Sequence, residues 1–177
     1  MKPQGYAAVL GALLMVTPLA HADILDTLGW DRTRPDIKKL STLYVGGGFA
    51  NSFIYASAET PTHYGNVYAR VGQYYKGDGV AGQLGWRYPY AYTGVDKNGY
   101  YLGGFIGHIK DDVLDGERYN RLGGGVELSY LSLRNELLAS GSVALAFGES
   151  KTSKDGSTQR KTTPMIIFAA NFNVGLF

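Results

Sequence analysis

The chain predicts an all-β fold, an antiparallel up-and-down barrel, on three observations. Hydrophobicity alternates with a period of two through most of the length, the signature of strands with one apolar face. Glycine supplies 25 of the 177 residues, roughly twice its usual share, and tyrosine another 14. Asp-Gly and Asn-Gly pairs punctuate the alternating segments, and these are the turn residues of tight hairpins. The same composition excludes several classes. Disordered chains are poor in aromatics, whereas 13% of this one is aromatic. Collagen needs glycine at every third position, which is not the pattern here. With no cysteine, neither a disulfide scaffold nor a thiolate metal site is available. A net charge of +2 offers no footprint for nucleic acid.

Met1–Ala22 reads as a secretory signal peptide. Lys2 supplies the positive start, Tyr6–Val16 the apolar stretch, and Ala20-His21-Ala22 an A-x-A site cleaved after Ala22. That stretch is far short of the ~20 residues a spanning helix needs. Residues 23–42 follow as a periplasmic segment or an interfacial helix. Ile24, Leu25, Leu28 and Trp30 form its apolar cluster, while Pro35 and Lys38-Lys39 suit no lipid-facing strand. Residues 43–177 carry the barrel.

Seven strands are readable. Leu43–Tyr55 and Tyr100–Ile109 are strands by composition, with blurred alternation. Gly65–Tyr75 sets Val67, Ala69 and Val71 against Tyr68, Arg70, Gly72 and Tyr74. Val80–Tyr92 sets Leu84, Trp86, Tyr88, Tyr90 and Tyr92 against Gln83, Gly85 and Arg87, and Pro89 predicts a bulge or bend because it cannot donate to a ladder. Asn120–Tyr130 places Leu122, Val126 and Leu128 opposite Arg121, Gly123, Gly125 and Glu127. Leu137–Phe147 places Val143 and Leu145 opposite Ser140, Ser142 and Ala144. Ile166–Leu176 has Ile166, Phe168, Phe172 and Val174 on one parity, and Asn171 and Asn173 on the other. Up-and-down closure in a membrane calls for an even number. An eighth strand must therefore come from Asp23–Ser41 or from a segment read as one that is really two.

After the signal, the longest clean apolar run is Met165–Ala170, so a membrane position requires a closed barrel, in which every backbone group is paired. A soluble barrel turns its apolar face inward and a transmembrane barrel turns it outward. Three features favour the transmembrane form. The polar parities carry few charges, and these can satisfy one another: Arg70, Arg87 and Arg121 with Glu127. The same parities hold Gly72, Gly85, Gly123, Gly125, Ala144 and Ala146, small enough for a narrow lumen. Aromatics collect at strand ends, at Tyr74-Tyr75, Tyr88-Tyr90-Tyr92 and Tyr100-Tyr101, as in the girdles of outer-membrane barrels. The expected fold is thus an eight-stranded antiparallel up-and-down transmembrane β-barrel in the cell outer membrane.

With its signal peptide, the alternating segments GYYLGGFIGH and RLGGGVELSY, and a last strand ending in Phe177, the chain resembles the small OmpA/OmpX-type outer-membrane barrels of Gram-negative bacteria. That resemblance implies a monomer in contact with outer-membrane lipid and lipopolysaccharide, delivered by the barrel-assembly machinery, with both termini on the periplasmic side. On that basis Glu149–Lys161, Lys110–Arg118 and Lys76–Gly79 are outer loops. Ser132–Asn135, Thr93–Gly99 and Ser57–Thr62 are inner turns. The expected role is structural or that of a passive narrow pore, with no catalytic residues and no cofactor. The alternatives are a lipid-A-modifying barrel enzyme and a soluble periplasmic barrel that binds an apolar ligand.

Few residues suggest chemistry. His63 and His108 lack the convergent partners that a metal needs. Lipid A deacylases of this architecture use Ser, His and Glu, which nominates Ser129, Glu127 and His108, but nothing in the spacing brings His108 to the other two. Asp111, Asp112, Asp115 and Glu117 form an acidic loop without cation-wrapping spacing. Lys151, Lys154, Arg160 and Lys161 could meet lipopolysaccharide phosphates. Gly46–Gly48 and Gly123–Gly125 lack the pattern of a phosphate loop and read as close packing. The main candidate site is the lumen network Arg70, Arg87, Arg121 and Glu127. Three cations sharing one anion would lean toward anions.

Overall fold

The computed structural model describes residues 41–176 apart from 63, 77–78, 94–97, 115, 135 and 155–156. The expected signal peptide and segment 23–40 therefore lie outside the described residues. Eight strands follow one another: β1 (Tyr44–Ala50), β2 (Phe53–Thr62), β3 (Gly65–Tyr74), β4 (Val80–Tyr92), β5 (Gly99–Leu114), β6 (Glu117–Arg134), β7 (Leu137–Lys154) and β8 (Ser157–Gly175). Each pairs antiparallel with the next, and β8 returns to β1, closing the ring. The described residues contain no helix.

The eighth strand comes from Leu43–Tyr55, which is two strands and not one. The chain reverses at Asn51-Ser52, and Phe49 pairs with Ile54 across the turn. No glycine or proline marks this turn; its only trace is a change of inward parity, from even-numbered residues before it (Tyr44, Ala50) to odd-numbered ones after it (Phe53, Tyr55). Ser57–Thr62, expected as a turn, belongs to β2. Two of the three expected outer loops, Lys110–Arg118 and Glu149–Lys161, are also largely strand, since β5 and β6 pair out to Leu114↔Glu117, and β7 and β8 to Lys154↔Ser157. Ladder hydrogen bonds are indifferent to side-chain polarity, so charged residues extend a hairpin as readily as apolar ones.

The stagger is read from the register. Direct partners followed from Tyr44 run through Glu59, Tyr68, Gly85, Phe105, Gly125 and Ala146 to Met165. Met165 lies ten residues before Gly175, the partner of Tyr44 on the same strand. Eight strands with that stagger tilt by roughly 40°. Two irregularities occur in the ring, both touching β5. The β4–β5 register slips between Pro89 and Ala91, at the expected proline. The β5–β6 register slips between His108 and Lys110. Beside this second slip Gly107 has φ +135°, and a Cβ there would lie 2.2 Å from the Gly82 carbonyl oxygen, so only glycine fits.

The apolar parity faces outward. Ile106 is 65% exposed and Phe168 61%, while Arg87 and Glu59 inside the ring are 0% and 1% exposed. From Ile166 to Leu176 the outward residues of the last strand cover about 33 Å of chain, or about 25 Å along the axis at that tilt. At the end where β1 begins and β8 stops (the strand-termini end), which also carries the β2–β3, β4–β5 and β6–β7 turns, aromatics ring the outer surface. Trp86 packs 6.1 Å from Tyr88 and donates its Nε1–H to the Tyr64 carbonyl at 3.0 Å, and Tyr100 meets Tyr130 edge-on at 5.1 Å. Three of the expected girdle residues are not there: Tyr74, Tyr92 and Tyr101 are buried inside the ring. Adjacent residues in a strand point to opposite faces, so Tyr74-Tyr75 and Tyr100-Tyr101 each send one ring inward, and the register slip between Pro89 and Ala91 turns Tyr92 inward although it shares the parity of the exposed Tyr88.

Candidate functional site

The lumen is layered. On β2 the inward residues run Phe53, Tyr55, Ser57, Glu59, and on β8 they run Ile167, Ala169, Asn171, Asn173 toward the termini end. On β6 they run Glu127, Ser129, Leu131, Leu133. One apolar layer, built on Phe53, Tyr55, Phe105, Ile109 and Ile167, fills the end away from the termini. A second, built on Tyr44, Tyr101, Leu131 and Leu138, fills the termini end. The polar layer lies between them.

Its centre is an ion pair. Arg87 on β4 bonds through Nη2 to Oε2 of Glu59 on β2, across the width of β3, and neither side chain is exposed. Asn66 holds the other oxygen of Glu59 at 2.6 Å. The Tyr68 ring lies beside both arginines, with its centroid 4.2 Å from Arg70 Cζ and 4.9 Å from Arg87 Cζ. Such cation–π contacts are strongest where water is excluded. Gly85, the register partner of Tyr68, makes this possible, since a Cβ there would stand 2.2 Å from the Tyr68 Cζ atom. Arg70 also bonds Gln83 at 3.3 Å. Ser57 lies 2.7 Å from Asn171 Oδ1 and 2.6 Å from Asn173 Oδ1. One hydroxyl proton serves a single acceptor, so one of these amides presents its NH2 to Ser57 instead.

The expected four-residue network is redrawn by this geometry. Arg70, Arg87 and Glu127 are all buried on inward parities of the polar layer. Arg121 is buried but lies six residues from Glu127 along β6, beyond the apolar layer. There its Nε–H donates to the Glu149 carbonyl at 3.2 Å, its guanidinium bonds Thr163, and Nη1 stands 3.7 Å from Asp112. Glu59, from the segment expected as a turn, takes its place. The polar layer therefore holds two cations, Arg70 and Arg87, against two anions, Glu59 and Glu127. That set replaces the expected three cations against one anion.

Arg121 also closes a seam. Pairing between β6 and β7 stops at Gly123↔Gly148, although both strands continue. Beyond it the side chains of β6 satisfy the edge of β7. The Lys151 N–H donates to the Tyr119 hydroxyl at 2.9 Å, alongside the Arg121 bonds. A comparable device caps β8 where β1 ends. Asn51 accepts from the Phe168 N–H at 2.9 Å and donates through Nδ2 to the Ile166 carbonyl at 3.1 Å. Pro164, two residues further, has no N–H to leave unpaired.

The other expected residues are dispersed. Ser129 and Glu127 are buried in the polar layer, but His108 lies five residues beyond Gly103, the partner of Glu127, or roughly 16 Å along β5. His108 accepts at Nδ1 from the Gly82 N–H at 3.0 Å. Asp112 lies between Arg121 and Lys110. On the β7–β8 hairpin, Lys151 stacks 5.1 Å from the Tyr119 ring, and Arg160 bonds Glu149 at 3.2 Å. Lys161 is exposed, and the Lys154 side chain lies outside the described residues. Among the described residues no group of three or more His, Asp or Glu is placed to hold a metal ion.

The chain matches no family model, and no curated protein or solved structure is significantly similar to it.

Proposed function

We propose that this chain is a small outer-membrane β-barrel with a structural role, its lumen closed by its own side chains. The observation that carries the reading is the inversion of the two faces. Leu84, Leu102, Ile106, Phe168 and Phe172 cover the outside of a closed ring whose interior holds Arg70, Arg87, Glu59 and Glu127. Hydrocarbon stabilises that outer face, whereas in water each such side chain forgoes about 1.5–3 kcal/mol of burial. Soluble monomers rarely expose so continuous an apolar surface. The rise of about 25 Å over Ile166–Leu176 suits the apolar band of a transmembrane barrel. The aromatic ring near the termini suits a headgroup boundary. The packed lumen favours a structural role over a passive pore, and the separation of His108 from Ser129 and Glu127 disfavours lipid A chemistry there. In this reading Lys161 and its hairpin meet lipopolysaccharide phosphates, and the barrel-assembly machinery inserts the chain.

The test is mobility in SDS gels of the protein taken from isolated outer membranes, boiled and unboiled. A shift on boiling in the membrane fraction is the expected result. Recovery from the soluble periplasm with no shift would overturn the proposal.

A further inference from the structure

We infer that the lumen is closed to solute by its two apolar layers and not by the Arg87–Glu59 pair, and that the polar layer between them is a latent hydrophilic passage. The inference rests on the membrane-barrel reading above. Inside the polar layer, Arg70 Nε, Arg87 Nε and Nη1, Glu127 Oε1 and Ser129 Oγ are buried without a hydrogen-bond partner in the protein. Donors and an acceptor of this kind bind water when water reaches them, because leaving them bare is costly. With two cations and two anions the layer carries no net charge to repel either sign of ion. On both sides of it the chemistry changes abruptly. Toward the far end, Phe53 meets Tyr55 at 5.5 Å and Tyr74 at 5.9 Å between ring centroids, with Phe105 and Ile167 in the same cluster. Toward the termini, Tyr101 packs edge-on to Tyr92 at 6.4 Å, with Leu131 fully buried. A narrow apolar constriction excludes ions by dewetting, whatever the polar segment beside it can coordinate. Both layers must be breached before the polar layer joins the two sides.

Planar-bilayer conductance of the full barrel tests this, with the boiled and unboiled gel shift as a check of folding. One variant set trims both layers (Phe105→Ala with Leu131→Ala). A second wets them at nearly constant volume (Ile167→Asn with Leu131→Asn). A third leaves both layers intact and neutralises the pair (Arg87→Gln with Glu59→Gln). Resolved current steps from a heat-shifting variant of either of the first two sets, with single-layer variants and the third set at the wild-type baseline, are the expected result. Three outcomes overturn the inference: conduction by the third set, conduction by a single-layer variant, or silence from both double-layer sets when they insert and show the heat shift. Failure of the wild-type protein itself to insert and shift strikes at the membrane reading instead, so the two failures are distinguishable.

Discussion

Arg87 and Glu59 join two strands that do not pair with each other. Their side chains meet across β3, both fully buried, and they tie β4 to β2 inside the ring. An ion pair in such a place stabilises the fold little against apolar replacements, yet breaking it strands a charge. Arg87→Ala or Glu59→Ala is therefore expected to cost about 3–5 kcal/mol, while Arg87→Met combined with Glu59→Leu costs far less. Urea unfolding from lipid vesicles, followed by tryptophan fluorescence, measures all three. Equal losses in the single and paired variants would remove the pair from any coupled role.

Gly85 supplies the space in which Tyr68 stands beside Arg70 and Arg87. Gly85→Ala forces the ring aside and is expected to destabilise the barrel by about 1–3 kcal/mol, as overpacking does. Adding Tyr68→Leu to that variant should recover part of the loss. A double-mutant cycle with no coupling would show that the alanine methyl is accommodated elsewhere.

Outward residues at mid-height distinguish hydrocarbon from water. Leu84 is 54% exposed in the middle of the apolar face. Leu84→Arg is expected to cost about 2–4 kcal/mol in a bilayer, while Val113→Arg, on the projecting part of β5, stays within about 1 kcal/mol. In a soluble barrel both would be near neutral, so the difference between the two sites is the quantity to measure.

Asn51 caps an open strand edge. Asn51→Ala leaves the Phe168 N–H and the Ile166 carbonyl without that partner and is expected to cost about 0.5–1.5 kcal/mol. Amide hydrogen exchange at Phe168 should accelerate while exchange in β6 is unchanged. Unaltered protection at Phe168 would mean that other groups satisfy this edge.

Much of this architecture was legible in the chain. Period-two alternation through Ile166–Leu176, Leu137–Phe147 and Asn120–Tyr130 named the strands and sorted their residues into two faces, because alternation is a property of a single extended strand. It marked Arg70, Arg87 and Glu127 as sharing the polar face, and Pro89 as a break in register. Only the closed ring decided which of these residues meet. Arg121 has the same parity as Glu127, yet stagger and strand length carry it past the apolar layer to Asp112 and Thr163. Glu59 was hidden in a segment rich in turn-forming residues, and the extra strand was hidden behind a turn without glycine or proline. Alternation sorts residues one strand at a time, whereas height in the lumen is set by eight registers satisfied together.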